Sequence, residues 1–451
     1  MKPKPKTKAK KRRKYKDEIL FMEQNIDDFH SDIWLPPHNL PVNIVKNNPS
    51  WFSIKESKSI NTDFINHDID PDPYEFELYK SKKILLDLTN RQKKIINKWL
   101  KSSICMYNET LKYIKEQFLE DSDFYPNFYK VRSALNKIKQ KICNFDGSIK
   151  IHDLDSTIQL VCTNYKSAIT NFQNGNIKHF RMRYWKHNKS IKIMGLEKNN
   201  FKNGTIREKI LGQVKCFYNN SRCYTDNIDC DCKLMHDTIE NKYYLLVPKM
   251  LKEKEIEDRS EMISLDPGTK TFLTGITEDK VVEIGKECKA IIRKYLKRTD
   301  KINNNKEIPE KKKRKLEKVY NRKIKNKVDE LHWKTIDYLT KNYDKILIGD
   351  LSSKKVVNNK TSNLSDMEKR IILRFNFYVL RKRLEYKCAL RKCEYKKVDE
   401  RYTSKMCSEC GELKNDLGND RIFECERCER VIGRDVNGAR NIYIKSIERE
   451  D

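Results

Sequence analysis

Near the C-terminal end of the chain, Cys407-x-x-Cys410 is followed fourteen residues later by Cys425-x-x-Cys428, and this spacing constrains the fold more than any other feature. Each pair, with glycine or polar neighbours, suits a β-knuckle, and two knuckles place four thiolates tetrahedrally around zinc. Zinc held by four thiolates has no open coordination position, so the site is structural and activates no water. Any chemistry has to come from other residues. A second cluster, Cys230-Asp231-Cys232 with His236, admits two readings, a further metal site or free thiols in a loop.

Four carboxylates stand at the ends of expected elements. Asp266 ends the strand-like run MISLD and is followed by Pro-Gly, which stops a strand and leaves the side chain at a sheet end. Asp350 ends KILIGD in the same way, Glu400 follows YKKVD, and Asp435 opens the last helical segment just after the second cysteine pair. Asp-Pro-Gly is also a common turn, so Asp266 alone carries little. If the element ends converge, mutual repulsion makes the cluster depend on divalent metal. Two Mg²⁺ ions about 4 Å apart then activate a water and stabilise the leaving oxygen of a phosphodiester.

These residues also carry a family resemblance. SLDPGTKTFLTGI resembles the first RuvC motif, and DELHWKTIDYLTKNYDKILIGDLSS resembles the second with its preceding helix. RYTSKMCSECG with GRDVNGARNI resembles the zinc ribbon and third motif of the TnpB and Fanzor proteins, transposon-encoded RNA-guided DNA endonucleases. Upstream, DLTNRQKKIINKWLKSSICMYN is similar to the first recognition-lobe helix of that family, and GNIKHFRMRYWK to the return into its wedge barrel. The resemblance spans about residues 72–447 and is strongest in the C-terminal half. One position departs from the TnpB pattern: Gly349 stands where a glutamate normally precedes Asp-Leu in the second motif. Fanzor proteins are known for a relocated glutamate, and Glu400, directly before RYTSKMC, matches the alternative position.

The resemblance implies an α/β multidomain chain: a RuvC (RNase H-like) nuclease core with an inserted four-Cys zinc ribbon, plus a wedge-type β-barrel with an inserted helical recognition lobe. The implied boundaries are 72–90 and 191–260 for the barrel, 91–190 for the lobe, 261–404 and 433–447 for the nuclease, and 405–432 for the ribbon. Asp266, Glu400 and Asp435 are the implied catalytic, magnesium-binding set, with Asp350 in reserve. Asp350 alternates to the opposite face from Gly349 in a regular strand, which suits a structural hydrogen bond. The ribbon cysteines Cys407, Cys410, Cys425 and Cys428 would hold zinc. The implied partners are a guide RNA encoded near the gene and double-stranded target DNA bearing a short adjacent motif. Two other readings stand beside this one: an RNA- or DNA-binding protein without catalysis, motivated by Gly349, and a DNA transposase on a similar carboxylate fold.

Composition agrees with a polyanionic partner. Lys+Arg 95 against Asp+Glu 65 gives a formal charge of +30 over 451 residues, and cations set against phosphates release condensed counterions. Solvating charge and an AT-rich coding sequence would produce the same bias. Residues 1–16 hold ten basic residues, two prolines and no acid, which suits a disordered tail serving as a nuclear import signal, a nucleic-acid-binding arm or plain solvation. Residues 17–71 form an extension with no assigned role. No run of about eighteen apolar residues spans a bilayer, and the N-terminus lacks the apolar middle of a secretory signal, so a nuclear, cytoplasmic or nucleoid protein is expected.

Local patterns give the expected elements. YEFELYKSKKILLDL reads as a strand. Thr89 or Asn90 caps a helix bearing Ile96, Trp99, Leu100, Ser103, Tyr107, Leu111 and Ile114 on one stripe. FRMRYWKHNKSIKIMG suits a strand pair whose aromatics and cations serve packing, base stacking or phosphate contact. The run from Lys306 to Tyr343 is helical with Ile324, Val328, Leu331, Thr335 and Leu339 inward, and its basic stretch tracks phosphate or is simply solvated. One helix is expected around ILRFNFYVLRKRLEYKCAL, with His332 packing or hydrogen-bonding on the helix before it.

Overall fold

The computed structural model describes residues 51–58, 71 and 78–447, except 122–123, 203–204, 220, 224–227, 229, 254–255, 257–258, 260, 358–363 and 415–419. The expected basic tail and nearly all of the 17–71 extension lie outside the described residues. The chain divides into two compact units, one from Glu75 to Met250 and one containing Leu251–Asp451. Strand β1 (Ile54–Lys58) pairs within the second.

In the first unit, β2 (Tyr79–Asp87) leads into helix α1 (Asn90–Glu120), started by a capping box in which Thr89 and Gln92 satisfy each other's free amides. The whole stripe Ile96, Trp99, Leu100, Ser103, Tyr107, Leu111 and Ile114 is buried. Trp99 is fully enclosed and donates its indole N–H to Ser148 Oγ at 2.8 Å. Truncating it to alanine costs about 3–5 kcal/mol. Helices α2 (Phe128–Ala134), α3 (Asn136–Asp146) and α4 (Ile151–Gln173) pack with α1. Strand β3 (Ile191–Leu196), a small β4–β5 hairpin (Phe201–Lys202 with Thr205–Ile206) and one turn of helix α5 (Glu208–Leu211) follow. Then come β6 (Lys215–Tyr218), β7 (Ser221–Cys223), β8 (Cys232–Asp237) and β9 (Lys242–Met250). The antiparallel sheet runs β3-β8-β9-β2-β6-β7.

One expectation is corrected in this unit. The strand pair at FRMRYWKHNKSIKIMG is a single strand, because only Ile191–Leu196 finds a partner, in β8, while residues 177–186 have no regular structure. Among the described residues Cys230, Cys232 and His236 do not gather as a metal-ligand group, and both cysteines are free thiols, which is the second of the two readings. The two thiols donate to the carbonyls of Pro248 and Cys230, and the His236 ring stacks on Tyr243 at 4.0 Å.

In the second unit, β10 (Glu261–Pro267), β11 (Leu273–Ile276) and β12 (Lys280–Ile284) form an antiparallel meander whose edge is closed by β1. Helices α6 (Cys288–Asn304) and α7 (Glu310–Asn342) lead to β13 (Tyr343–Gly349). After the short α8 (Ser353–Val356), α9 (Asp366–Phe375) and α10 (Phe377–Arg391), the chain enters β14 (Glu394–Val398). Strands β10, β13 and β14 run parallel, giving the order β1-β12-β11-β10-β13-β14. The hairpin β15 (Ile422–Glu424) with β16 (Val431–Gly433) precedes the last helix, α11 (Arg434–Ile447).

The two-residue period of the strands sorts this sheet into two faces. Ile263, Leu265, Ile346 and Ile348 join a core with residues of α6, α7, α9 and α10, while Met262 and Leu347 join a second with Ala439, Ile442 and Tyr443 of α11. Of the α7 stripe, Ile324, Val328, Leu331, Thr335 and Leu339 are all buried. The helix expected around ILRFNFYVLRKRLEYKCAL is two helices, broken at Asn376 with φ 49° and ψ 58°. Phe375 and Phe377 flank the break and both pack on Phe272, at 5.1 and 5.3 Å between ring centroids. Two residues apart on one helix they would diverge by about 200°, so the chain reverses at asparagine, which tolerates the left-handed conformation. His332 Nε2 donates to the carbonyl of Phe375 at 2.8 Å, which leaves Nδ1 to accept from Arg383 at 3.3 Å.

Candidate active site and metal centre

The four cysteines come together. Among the described residues, they are the only group of three or more His, Cys, Asp or Glu whose ligand atoms all lie within 4.8 Å of one another. Cys407 and Cys428 Sγ are 3.6 Å apart, and Cys410 and Cys425 Sγ 3.5 Å. A Zn–S length of about 2.3 Å in a tetrahedron requires S···S edges of about 3.8 Å, so the cage is of a size to take that ion, whereas a disulfide needs about 2.05 Å. Both knuckles are built alike. Gly411 and Glu429, each four residues after the first cysteine of its pair, adopt φ of 75° and 56°. The Cys428 and Arg427 amides are directed at Cys425 Sγ and hold that thiol down, at about 6.

The sheet brings three of the four expected carboxylates to one place. Asp266 lies at the end of β10 on the face of Ser264, whose hydroxyl donates to the Ala439 carbonyl of α11 at 2.8 Å. A Cβ built on Gly438 would stand 3.0 Å from Asp266 Oδ2, so α11 crosses the end of β10 at a distance that only glycine permits. Glu400 follows β14, and Asp435 sits in the first turn of α11. Gly349 ends β13, the strand between β10 and β14. A Cβ there would meet Glu400 Oε2 at 3.0 Å, Ile442 at 3.0 Å and Pro267 at 3.1 Å. The Glu400 carboxylate therefore occupies space beside Gly349 that a side chain at 349 would need.

Charge in this cluster is strained. Burial first, then the Glu400 and Asp435 charges, push the Asp266 carboxyl well above its ordinary range, against Arg434. Burial pushes Glu400 up to about 7, with Arg381 opposing and Asp350 and Asp399 adding. Asp435 is raised by burial, with Arg434 and Arg421 opposing. No described residue donates a hydrogen bond or forms a close ion pair with these three side chains. Half-buried carboxylates without donors are the form a divalent cation would complete, so the residues fit such an ion. They are spread more widely than the thiol cage. Asp350 behaves differently: it is ion-paired, with Arg381 of α10 at 2.8 Å and Lys397 at 3.7 Å.

The sequence reading missed the residues that join the two centres. Asn437 Oδ1 accepts from the Ser408 amide at 3.0 Å, and its Nδ2 donates to the Met406 carbonyl at 2.7 Å. Asn441, one turn on, donates to Thr403 O at 2.7 Å and Met406 O at 2.6 Å. Both asparagines are fully buried. They tie the helix bearing Asp435 to the first knuckle and to the turn that follows Glu400. A usable signal was present, since two asparagines four apart inside a helix are unfavourable unless their side chains are engaged.

Residues 377–442 match the Cas12f1-like TNB domain model. The TnpB-like protein L770 of Acanthamoeba polyphaga mimivirus is 32% identical over 384 residues, covering 80% of this chain and 72% of that protein. The putative transposase A625R of Paramecium bursaria Chlorella virus 1 is 27% identical, covering 82% of this chain and 88% of its own. The CRISPR-associated endodeoxyribonuclease Cas12f1 of Sulfoacidibacillus thermotolerans is 35% identical over 91 residues, 20% of this chain and 21% of that one. Together with the four-cysteine cage, this similarity places the chain in the TnpB-like protein family.

Proposed function

We propose that this protein is an RNA-guided DNA endonuclease associated with a transposable element, hydrolysing phosphodiesters with Asp266, Glu400 and Asp435 as its metal-binding carboxylates. The observation that carries the reading is the Glu400 carboxylate beside Gly349, on the same patch as Asp266 and under the helix that bears Asp435. The mixed order β1-β12-β11-β10-β13-β14, with carboxylates at the ends of its parallel strands, is what an RNase H-like RuvC core would present. The six-stranded sheet of the first unit, with helices α1–α4 between its strands, is read as the wedge barrel and recognition lobe.

Bound Mg²⁺, as two ions, would supply an activated water and charge neutralisation at the scissile phosphate. Asp266, Glu400 and Asp435 would hold the ions; none of the three acts as a nucleophile. Asn437 and Asn441 hold α11 at the correct height, and Gly438 keeps the approach to Asp266 open. Cys407, Cys410, Cys425 and Cys428 would bind one Zn²⁺ as a structural clamp. Asp350 is assigned to its ion pairs. A guide RNA supplies most sequence choice, and the protein reads a short motif beside the target in duplex DNA. Relatives in viruses fit action in a virus-infected host, and the basic 1–16 segment is read as a nuclear import signal.

Co-purification from cells carrying the gene with its flanking DNA, sequencing of bound RNA, and magnesium-dependent cleavage of a matching target test this reading, with Glu400→Ala alongside. Bound RNA without cleavage at any magnesium concentration supports instead an inactive binder. The relative described as a putative transposase keeps one further outcome in view: joined strands in place of simple ends would assign the chain to strand transfer.

A further inference from the structure

We propose that residues 178–189 form a preformed strap that grips a nucleic-acid phosphodiester backbone without reading bases. The segment carries Lys178, Arg181, Arg183, Lys186 and Lys189 with His179 and His187, and no acid. It has no regular secondary structure up to Lys186, yet its place is set by specific contacts. Asn108 of α1 holds Trp185 by both backbone groups, accepting from its amide at 2.8 Å and donating to its carbonyl at 3.1 Å. The Trp185 ring stacks on Tyr107 at 3.9 Å. Phe180 packs edge-on against Tyr165 at 6.2 Å and Phe172 at 6.4 Å.

These contacts sort the side chains. Phe180, Met182 and Trp185 are half-buried against the core of the first unit, while Lys178, Arg181, Arg183 and Lys186 are exposed. Lys189 lies over the outer face of Trp185 at 4.3 Å, and Lys115 over Tyr184 at 4.2 Å. Phe180 and Trp185 are therefore committed to the protein, and Tyr184, still half-exposed, carries the Lys115 ammonium over its ring, so the segment offers mainly positive charge. None of Lys178, Arg181, Arg183 or Lys186 makes an ion pair with a described residue. Four unpaired cations on one anchored segment present charge without the ordering cost that a flexible tail incurs on binding. The ligand class is a phosphodiester backbone, and the recognition is electrostatic and independent of sequence.

This inference rests on the protein having a nucleic-acid partner and is independent of the carboxylates. The test is filter binding of the full chain in EDTA, with guide RNA and with duplex DNA as separate probes, across a salt series. The variants are Lys178→Gln/Arg181→Gln/Arg183→Gln/Lys186→Gln and the charge-keeping Arg181→Lys/Arg183→Lys. Loss of up to four phosphate contacts lowers the slope of log K against log salt by about 3 on single strands and somewhat more on duplex DNA. The charge-keeping variant should keep most of the slope. A reduced slope on RNA alone assigns the strap to the guide, and on DNA alone to the target. An unchanged slope on both probes in the glutamine variant overturns the strap while leaving the nuclease reading intact; failure of the parent to bind either probe overturns both.

Discussion

Gly438→Ala separates catalytic geometry from fold stability, because one methyl group would land on the central carboxylate. The new Cβ would stand 3.0 Å from Asp266 Oδ2 and 3.1 Å from its Cγ. Ordinary van der Waals contact begins near 3.4 Å, so the carboxylate or the helix must yield by about 0.4 Å. In stability, alanine gains about 1 kcal/mol over glycine inside a helix, against an overpacking cost of about 1–3 kcal/mol. The net is a loss of about 0–2 kcal/mol, a fall of at most about 8 °C in melting midpoint for a unit of this size. Cleavage is more sensitive: a misplacement of 1 Å costs about a hundredfold, so 0.4 Å costs about sixfold in the single-turnover rate, with a raised magnesium requirement. Single-turnover cleavage at saturating guide and target, measured over a magnesium series beside a thermal melt, reads both quantities. A parental rate and magnesium dependence at an unchanged melting midpoint would refute the reasoning, since Asp266 would then tolerate displacement that a metal ligand cannot.

Glu400→Ala should abolish cleavage and leave target binding within about twofold, and adding Gly349→Glu to it should restore measurable cleavage, because the carboxylate returns to much the same space; a double variant no better than Glu400→Ala in the same assay contradicts the placement. Cys425→Ser should lower bound zinc below one ion per chain by elemental analysis and reduce cleavage through the loosened knuckle. Asn437→Ala should keep the zinc yet slow cleavage, since it removes only the bonds to Ser408 and Met406; equal zinc loss in both would place Asn437 within the cage fold instead. His332 is held neutral, its pKa lowered to about 3 by burial and then by Arg383. The unfolded chain binds that proton near pH 6.5 and the folded one does not, so this contribution to stability is complete above about 6.5 and is lost as pH falls towards 3. The slope is at most about 1.4 kcal/mol per pH unit. Urea melts between pH 7.5 and 4.5 should show that slope reduced in His332→Gln, and parallel profiles would show that the ring titrates normally.

Much of the second unit was legible because its signals are local. Apolar runs and their periods marked β10, β13, α7 and the first turn of α11, and cysteine spacing marked the cage. The break at Asn376 was not legible, since nothing in RFNFY states that both phenylalanines must reach the same side of Phe272; that demand is tertiary. The strand pair expected before residue 191 failed for a related reason. Alternating aromatic and basic residues fit a strand equally well as they fit a segment pinned by Asn108 and Trp185, and only the presence of a partner strand decides. Asn437 and Asn441 were overlooked because polar residues on a helix read as solvent-facing until a buried carbonyl appears opposite them.

Gly349 and Glu400 are best understood as one structural choice. Strands β13 and β14 are parallel neighbours in which Gly349 pairs with Val398, so Glu400 leaves its strand two residues beyond a position about 4.8 Å from Gly349. A glutamate side chain spans that gap, and its carboxylate lies where a side chain at 349 would begin. An acid at both positions would add a like charge to a cluster in which Asp266 is already pushed up by burial and then by Glu400 and Asp435. It would also force a Cβ against Ile442 and Pro267. Glycine at 349 is thus the local condition that lets the neighbouring strand deliver the acid. A missing glutamate in the second motif consequently carries no weight for lost activity until the adjacent strand has been inspected for a side chain long enough to replace it.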